Sequence, residues 1–131
     1  MTEHTLYKWL SQYWVGHYTR VENSCSAGLP DINSVLDGRE IWVEVKATKR
    51  DVVKMRKYQR VWSIRHTLSG GLVHVLNYDQ QRDEFQLWTY PDIAVNEQLV
   101  IIESPRLRIK RLTFIDQRTH LFGLLHAPRG L

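Results

Sequence analysis

The sequence predicts a single α/β domain, a mixed β-sheet with helices packed on it. Three observations lead there. Apolar residues recur at helical spacing in two stretches, one at the N-terminus and one in the middle of the chain. Short runs rich in β-branched and aromatic residues lie between and after them. Asp37-Gly38 separates two such runs and is the strongest hairpin signal in the chain. Read in order, the elements open αβββαββ, a layered pattern. At 131 residues the chain is long enough for one sizeable core. No repeat, low-complexity segment or linker divides it, so residues 1–131 read as one domain.

Leu6, Trp9, Leu10, Tyr13 and Trp14 fall at i, i+3, i+4, i+7 and i+8, one face of a helix. Thr2 is its N-cap candidate, and Glu3 suits the positive end of its dipole. Gly16 ends it. Residues 17–23 read as a strand and residues 23–30 as a loop. Two strands follow, over 31–36 and 39–48, joined by Asp37-Gly38. A basic helix is expected over 51–69, with Met55, Tyr58, Val61, Trp62 and Leu68 as its apolar stripe and Gly70-Gly71 as its stop. Residues 72–78 and 84–90 read as strands. In the second, Phe85, Leu87 and Thr89 alternate with Gln86, Trp88 and Tyr90, and core or an interface is the expected setting of Trp88 and Tyr90. The signal weakens from Pro91. A short helix and a strand fit 92–102, a strand with a basic stripe fits 106–110, and a last short helix fits 115–125. The role of this extension, residues 91–131, stays open.

Composition narrows the function. Hydrophobic content of 43% and charged content of 24% are those of a soluble globular chain, which argues against disorder. The net charge of +4 favours an anionic partner, nucleic acid first, although solvated lysines alone produce the same balance. Cys25 is the one cysteine, so no disulfide framework forms within a monomer, and zinc-site spacing is absent. No apolar run approaches membrane-spanning length and no signal peptide is seen. The expectation is a soluble, reduced, intracellular protein that does not engage membranes, in a prokaryotic cytoplasm or a phage-infected host. No Walker loop, dinucleotide fingerprint or Ser-His-acid order occurs, so no nucleotide cofactor is expected.

The hairpin carries the chemistry. With Asp37-Gly38 as a two-residue turn, Leu36 faces Arg39, Ile32 faces Val43 and Asp31 faces Glu44. Ile32, Leu36, Ile41, Val43 and Val45 then share an apolar face, and Asp31, Glu44 and Lys46 share the other. Facing residues have Cβ atoms roughly 4.5–5.5 Å apart. Two carboxylates so close repel, and a bound cation would explain the pair. Phosphodiester hydrolysis needs an activated water and a way to hold charge building on the phosphate, which Mg²⁺ on a few carboxylates supplies. Asp31, Glu44 and the Val45 carbonyl are ligand candidates. Lys46 lies on the same side to orient water or steady the charge.

Pro30-Asp31 followed by Glu44-Val45-Lys46 resembles the motif of the PD-(D/E)XK nucleases, on the hairpin where that superfamily carries it. Gly28-Leu29-Pro30-Asp31-Ile32 and Gln59 in the following helix resemble the VRR-NUC nucleases and the archaeal type of Holliday-junction resolvase. The resemblance covers about residues 3–90. It implies a restriction-endonuclease-like α/β core and a Mg²⁺-dependent endonuclease, with Mn²⁺ able to substitute. It implies a homodimer acting on branched DNA, and a third acid on the first helix, for which Glu3 is the match and Glu22 the rival. Gln59 is then a site residue. Ser26, Lys49, Arg50, Lys54, Arg56, Arg106, Arg108 and Lys110 are candidates for DNA contact. Two alternatives stay open. One is a phage or mobile-element nuclease of the same superfamily for flap, single-stranded or duplex DNA; the other is a non-catalytic DNA-binding protein on the same fold.

Overall fold

The computed structural model describes residues 1–21, 28–50 and 52–128. Nine elements follow in order: α1 (Glu3–Tyr13), β1 (His17–Arg20), β2 (Ile32–Leu36), β3 (Arg39–Thr48), α2 (Lys57–Leu68), β4 (Val73–Asp79), β5 (Glu84–Thr89), β6 (Leu107–Lys110) and α3 (Arg111–His126). The strands form one sheet in sequence order, β1 to β6. Only β3 and β4 pair in parallel, because α2 carries the chain back across the sheet between them. This is the mixed α/β fold the sequence predicts.

The sheet divides the interior in two. On one face Ile32, Ile41, Val43, Val45, Leu76, Tyr78, Phe85 and Leu87 pack against Leu6, Tyr7 and Leu10 of α1 and Phe114, Leu121, Phe122 and Leu125 of α3. On the other, Val73, Val75, Trp88 and Tyr90 pack against Val53, Met55, Ile93 and Ile101. Thr2 caps α1, its Oγ1 accepting from the Thr5 N–H at 3.3 Å. Trp88 and Tyr90 are core residues, 5% and 0% exposed.

Three expectations need correction. The middle helix begins at Lys57, not near residue 51. Val53 and Met55 instead run extended and pair with the chain near residues 99–101, through Met55 N–H to Leu99 O and Ile101 N–H to Val53 O. Residues 92–102 form neither helix nor strand but an irregular arm with two isolated bridges. It is held by that same pairing, which local sequence does not encode. The last helix is longer than expected, 16 residues from Arg111. With β6 it completes the sheet and the first core, so residues 107–126 belong to the body of the domain.

Candidate active site

The hairpin has the register its turn dictates. Ile32 pairs with Val43 and Leu36 with Arg39. Asp37 and Gly38 both take positive φ, 52° and 75°, as a two-residue hairpin turn requires. Asp31 stands one residue before β2, and its Oδ2 accepts the Val45 N–H at 2.8 Å. The Pro30-Asp31 corner is held from behind by Gly28. Its φ is +100°, and a Cβ there would lie 2.6 Å from the Tyr58 carbonyl of α2. A glycine is therefore required for the loop to lie against that helix.

Glu44 is 0% exposed on the face covered by α2. The polar side of the hairpin is thus closed off from solvent at Glu44. Burial pushes its pKa up; the neighbouring Lys46 ammonium pulls it back, Asp31 adds to the rise and Arg56 opposes it. Lys46 Nζ is 3.1 Å from Glu44 Oε1. Glu44 Oε2 is buried with no hydrogen-bond partner among the described residues. Such an oxygen costs stability unless something binds it.

The helix above keeps only part of its expected stripe: Met55 is buried and Trp62 packs on the second core. α2 buries Gln59 and Ser63 and leaves Tyr58, Val61 and Leu68 exposed. Gln59 Oε1 is a second buried acceptor without a partner. Tyr90 lies close by: burial raises its pKa, the Glu44 charge raises it further, and Arg60 and Ser63 act against the rise. Arg60 also donates to the Ile93 carbonyl at 2.9 Å. Trp62 and Ile64 of the same helix pack on the second core, and Gln59 and Ser63 are buried with them.

Asp31, Glu44 and Lys46 are thus brought together, with Val45 bound to Asp31 through its N–H. Glu3 is exposed on the first turn of α1. Between it and Asp31 stands Tyr7, whose pKa is raised by burial and then by the Asp31 and Glu3 charges. The Arg20 guanidinium lies 3.8 Å above the Tyr7 ring. Among the described residues, no three His, Cys, Asp or Glu side chains converge as a metal-ligand group, so Glu3 is not drawn in with the hairpin carboxylates. Glu22 and Ser26 lie outside the described residues.

Lys49, Arg50, Lys54 and Arg56 are exposed between the end of β3 and the start of α2, and Arg56 acts on the Glu44 charge. Arg106, Arg108 and Lys110 are exposed as well, and each also bonds within the fold. Arg106 donates to Thr89 Oγ1 at 3.2 Å, Arg108 to Glu84 Oε1 at 2.8 Å and Lys110 to the Arg82 carbonyl at 2.7 Å. β6 is also three strands from β3, on the order of 14 Å across the sheet.

Tyr7, Arg20, Ser63 and Tyr90 go unnoticed as site neighbours in the sequence. Tyr7 falls beside the apolar repeat of α1, not within it. Its one usable signal is its position four residues after Glu3, on the same helix face.

No family model matches the chain, and no curated protein matches it. Similarity appears in structure. The chain superposes on Hjc, a Holliday junction resolvase from the archaeal hyperthermophile Archaeoglobus fulgidus, with a TM-score of 0.61 and 14% identity. The match covers 86% of this chain and 96% of that one. A second structure, SSO0001, covers 97% of this chain and 59% of its own at 14% identity, but its TM-score of 0.37 is too low for a shared fold. What this chain has in common with the archaeal resolvase is the fold, a mixed sheet flanked by helices.

Proposed function

We propose that this protein is a Mg²⁺-dependent endonuclease that cuts branched DNA, Holliday junctions first. The observation that carries the reading is the convergence of Asp31, Glu44 and Lys46 on one hairpin, with a buried Glu44 oxygen that has no hydrogen-bond partner among the described residues. The resolvase-like fold supports it.

The residues fit a hard cation. Asp31 and Glu44 offer carboxylate oxygens, Gln59 an unpartnered amide oxygen and Val45 a carbonyl. Bound there, Mg²⁺ supplies Lewis acidity and lowers the pKa of a coordinated water. The chain's own groups do the rest. The Val45 N–H orients Asp31. Burial of Glu44 keeps water from screening its charge. Lys46, 18% exposed along its side chain, presents its ammonium to the phosphate oxygens or the attacking water. Lys49, Arg50, Lys54 and Arg56 hold the DNA backbone in a salt-dependent, sequence-independent way. Junction resolution needs two cuts, and a symmetric dimer supplies two such sites.

The test offers labelled four-way junction, flap, single-stranded and linear duplex DNA to the protein with Mg²⁺ or EDTA. Lys46→Ala and Asp31→Asn run alongside. Junction cutting that needs Mg²⁺ and falls about 10³-fold in both variants is the expected result. Binding without cutting on every substrate would leave a DNA-binding protein. Cutting confined to linear, flap or single-stranded DNA would keep the nuclease and remove the resolvase.

A further inference from the structure

A row of polar side chains crosses the α2 face of the sheet at one register level. Lys46 pairs with Asn77, Asn77 with Gln86, and Gln86 with Arg108. Asn77 and Gln86 are 0% and 3% exposed. Two amides buried in the middle of a sheet are costly unless their bonds are made, and here the bonds run in one direction.

That direction is set at the far end. Glu84 Oε1 takes a hydrogen bond from Arg108 at 2.8 Å, and Asp79 Oδ2 takes one from Arg82 at 2.8 Å. Ionised carboxylates only accept. The Gln86 amide must therefore turn its NH₂ toward them, and Nε2 lies 3.1 Å from Glu84 Oε1 and 3.4 Å from Asp79 Oδ2. Gln86 Oε1 is left to face β4, where it accepts from Asn77 Nδ2 at 3.1 Å. Asn77 Nδ2 is shared with Thr48 Oγ1 at 2.9 Å. Both Asn77 donors are thus committed. Its Oδ1 is buried with no partner among the described residues, on the residue that pairs with Lys46.

We propose that Asn77 is a positioning residue for Lys46: its Oδ1 receives the Lys46 ammonium when the Glu44 oxygens turn to a cation. The proposal rests on the nuclease reading of Asp31, Glu44 and Lys46. Lys46 has three N–H donors and one close carboxylate, Glu44, at 3.1 Å. If Glu44 binds metal, that contact weakens and the ammonium needs another acceptor to keep its place. The Asp79 and Glu84 carboxylates, with the Arg82 and Arg108 guanidinium groups that they hold, keep that acceptor in orientation through Gln86.

The first test needs neither metal nor turnover. The side-chain NH₃⁺ resonance of ¹⁵N-labelled Lys46 is observed in Glu44→Ala and in Glu44→Ala/Asn77→Leu, with Asn77→Ala replacing the leucine if the double variant does not fold. Retention in the first and loss to solvent exchange in the second is expected. Loss in Glu44→Ala alone, or retention in both, would overturn the proposal. The second test is kinetic. Asn77→Leu should lower kcat about tenfold with KM within about twofold, and should cost less than about twofold more in a Lys46→Ala background. Equal losses in the two backgrounds would mean that Asn77 serves packing only. A wild-type protein that cuts no DNA would sink the nuclease reading, while the resonance still decides whether Asn77 holds Lys46.

Discussion

The two faces of β3 are built to opposite rules. Toward α1 and α3 the strand offers Ile41, Val43 and Val45, all buried among apolar side chains. The polar groups buried on that face are satisfied. Ser34 Oγ accepts from Trp14 Nε1 and bonds His126 Nε2, both at 2.8 Å. His74 bonds Thr89 Oγ1 and the Leu125 carbonyl, both at 2.9 Å. Toward α2 the same strand offers Trp42, Glu44, Lys46 and Thr48, and there Glu44 Oε2, Gln59 Oε1 and Asn77 Oδ1 are buried without partners among the described residues. The first face is finished as it stands. The second is incomplete, and its open acceptors cluster on the side that carries Glu44 and Lys46. A protein gives up stability in this way where a site must bind something.

The contrast is sharpest at Glu44. Glu44→Gln keeps the volume and removes a buried charge. Cleavage should fall by about 10³-fold or more. Stability should hold or rise by about 1 kcal/mol, because Lys46 is partly exposed and tolerates the loss of its partner. Junction cleavage and urea denaturation of the same preparation measure both. A loss of several kcal/mol would mean that this face is ordinary core and would break the comparison.

On the other face the signs reverse. Ile41→Ala, at a fully buried position, should cost about 2–5 kcal/mol. Cleavage by the fraction that remains folded should stay within about threefold of wild type, since only Ile41's neighbours in the first core repack. Denaturation midpoints and cleavage rates well below the midpoint decide it. A large drop in rate with stability intact would show that the first face also takes part in the chemistry.

How far the sequence disclosed these faces follows the range of the interactions involved. The hairpin was legible because turn chemistry and a period of two are local: Asp37-Gly38 alone sets Ile32 opposite Val43. Glu44 and Lys46 could be placed on one side from spacing. The burial of Glu44 could not, because it depends on a helix thirteen residues further on. The same cause hid the orientation of α2. Three residues of its expected stripe, Tyr58, Val61 and Leu68, face solvent, while Trp62 packs on the second core and Gln59 and Ser63 are buried. Periodicity assumes that the buried surface is apolar throughout, and here it also holds an acid, Glu44. Residues 53–55 fit a helix locally yet are claimed by the arm at 99–101, a pairing of long sequence separation. Asn77 lies in a strand buried on both faces, where a single polar residue reads as an exception until its neighbours are in place.

The smallest expected effect comes from pH, and it has opposite sign on the two faces. His126, 2% exposed, donates from Nδ1 to the Phe122 carbonyl at 2.7 Å. Ser34, already accepting from Trp14, donates its hydroxyl to Nε2. Burial lowers the His126 pKa, opposed by that backbone bond and by Asp37. A depressed folded pKa means the contribution is full above the unfolded value, roughly 6.5, and is lost as pH falls through the folded value. Glu44 behaves the other way. Its pKa is raised by burial, so its contribution is best below the unfolded value, roughly 4.3, and is lost as pH rises through the folded one. Acidification of metal-free protein should therefore weaken the first face and relieve the second. Neither slope should exceed about 1.4 kcal/mol per pH unit, the limit for one proton. Denaturation between pH 4 and 7 separates them through their differences from wild type. His126→Gln should gain on wild type as pH falls below about 6.5, and Glu44→Gln should lose its advantage over wild type as pH approaches about 4.3. If the two differences share a sign, the faces are not opposed and Glu44 does not sit buried as an ion.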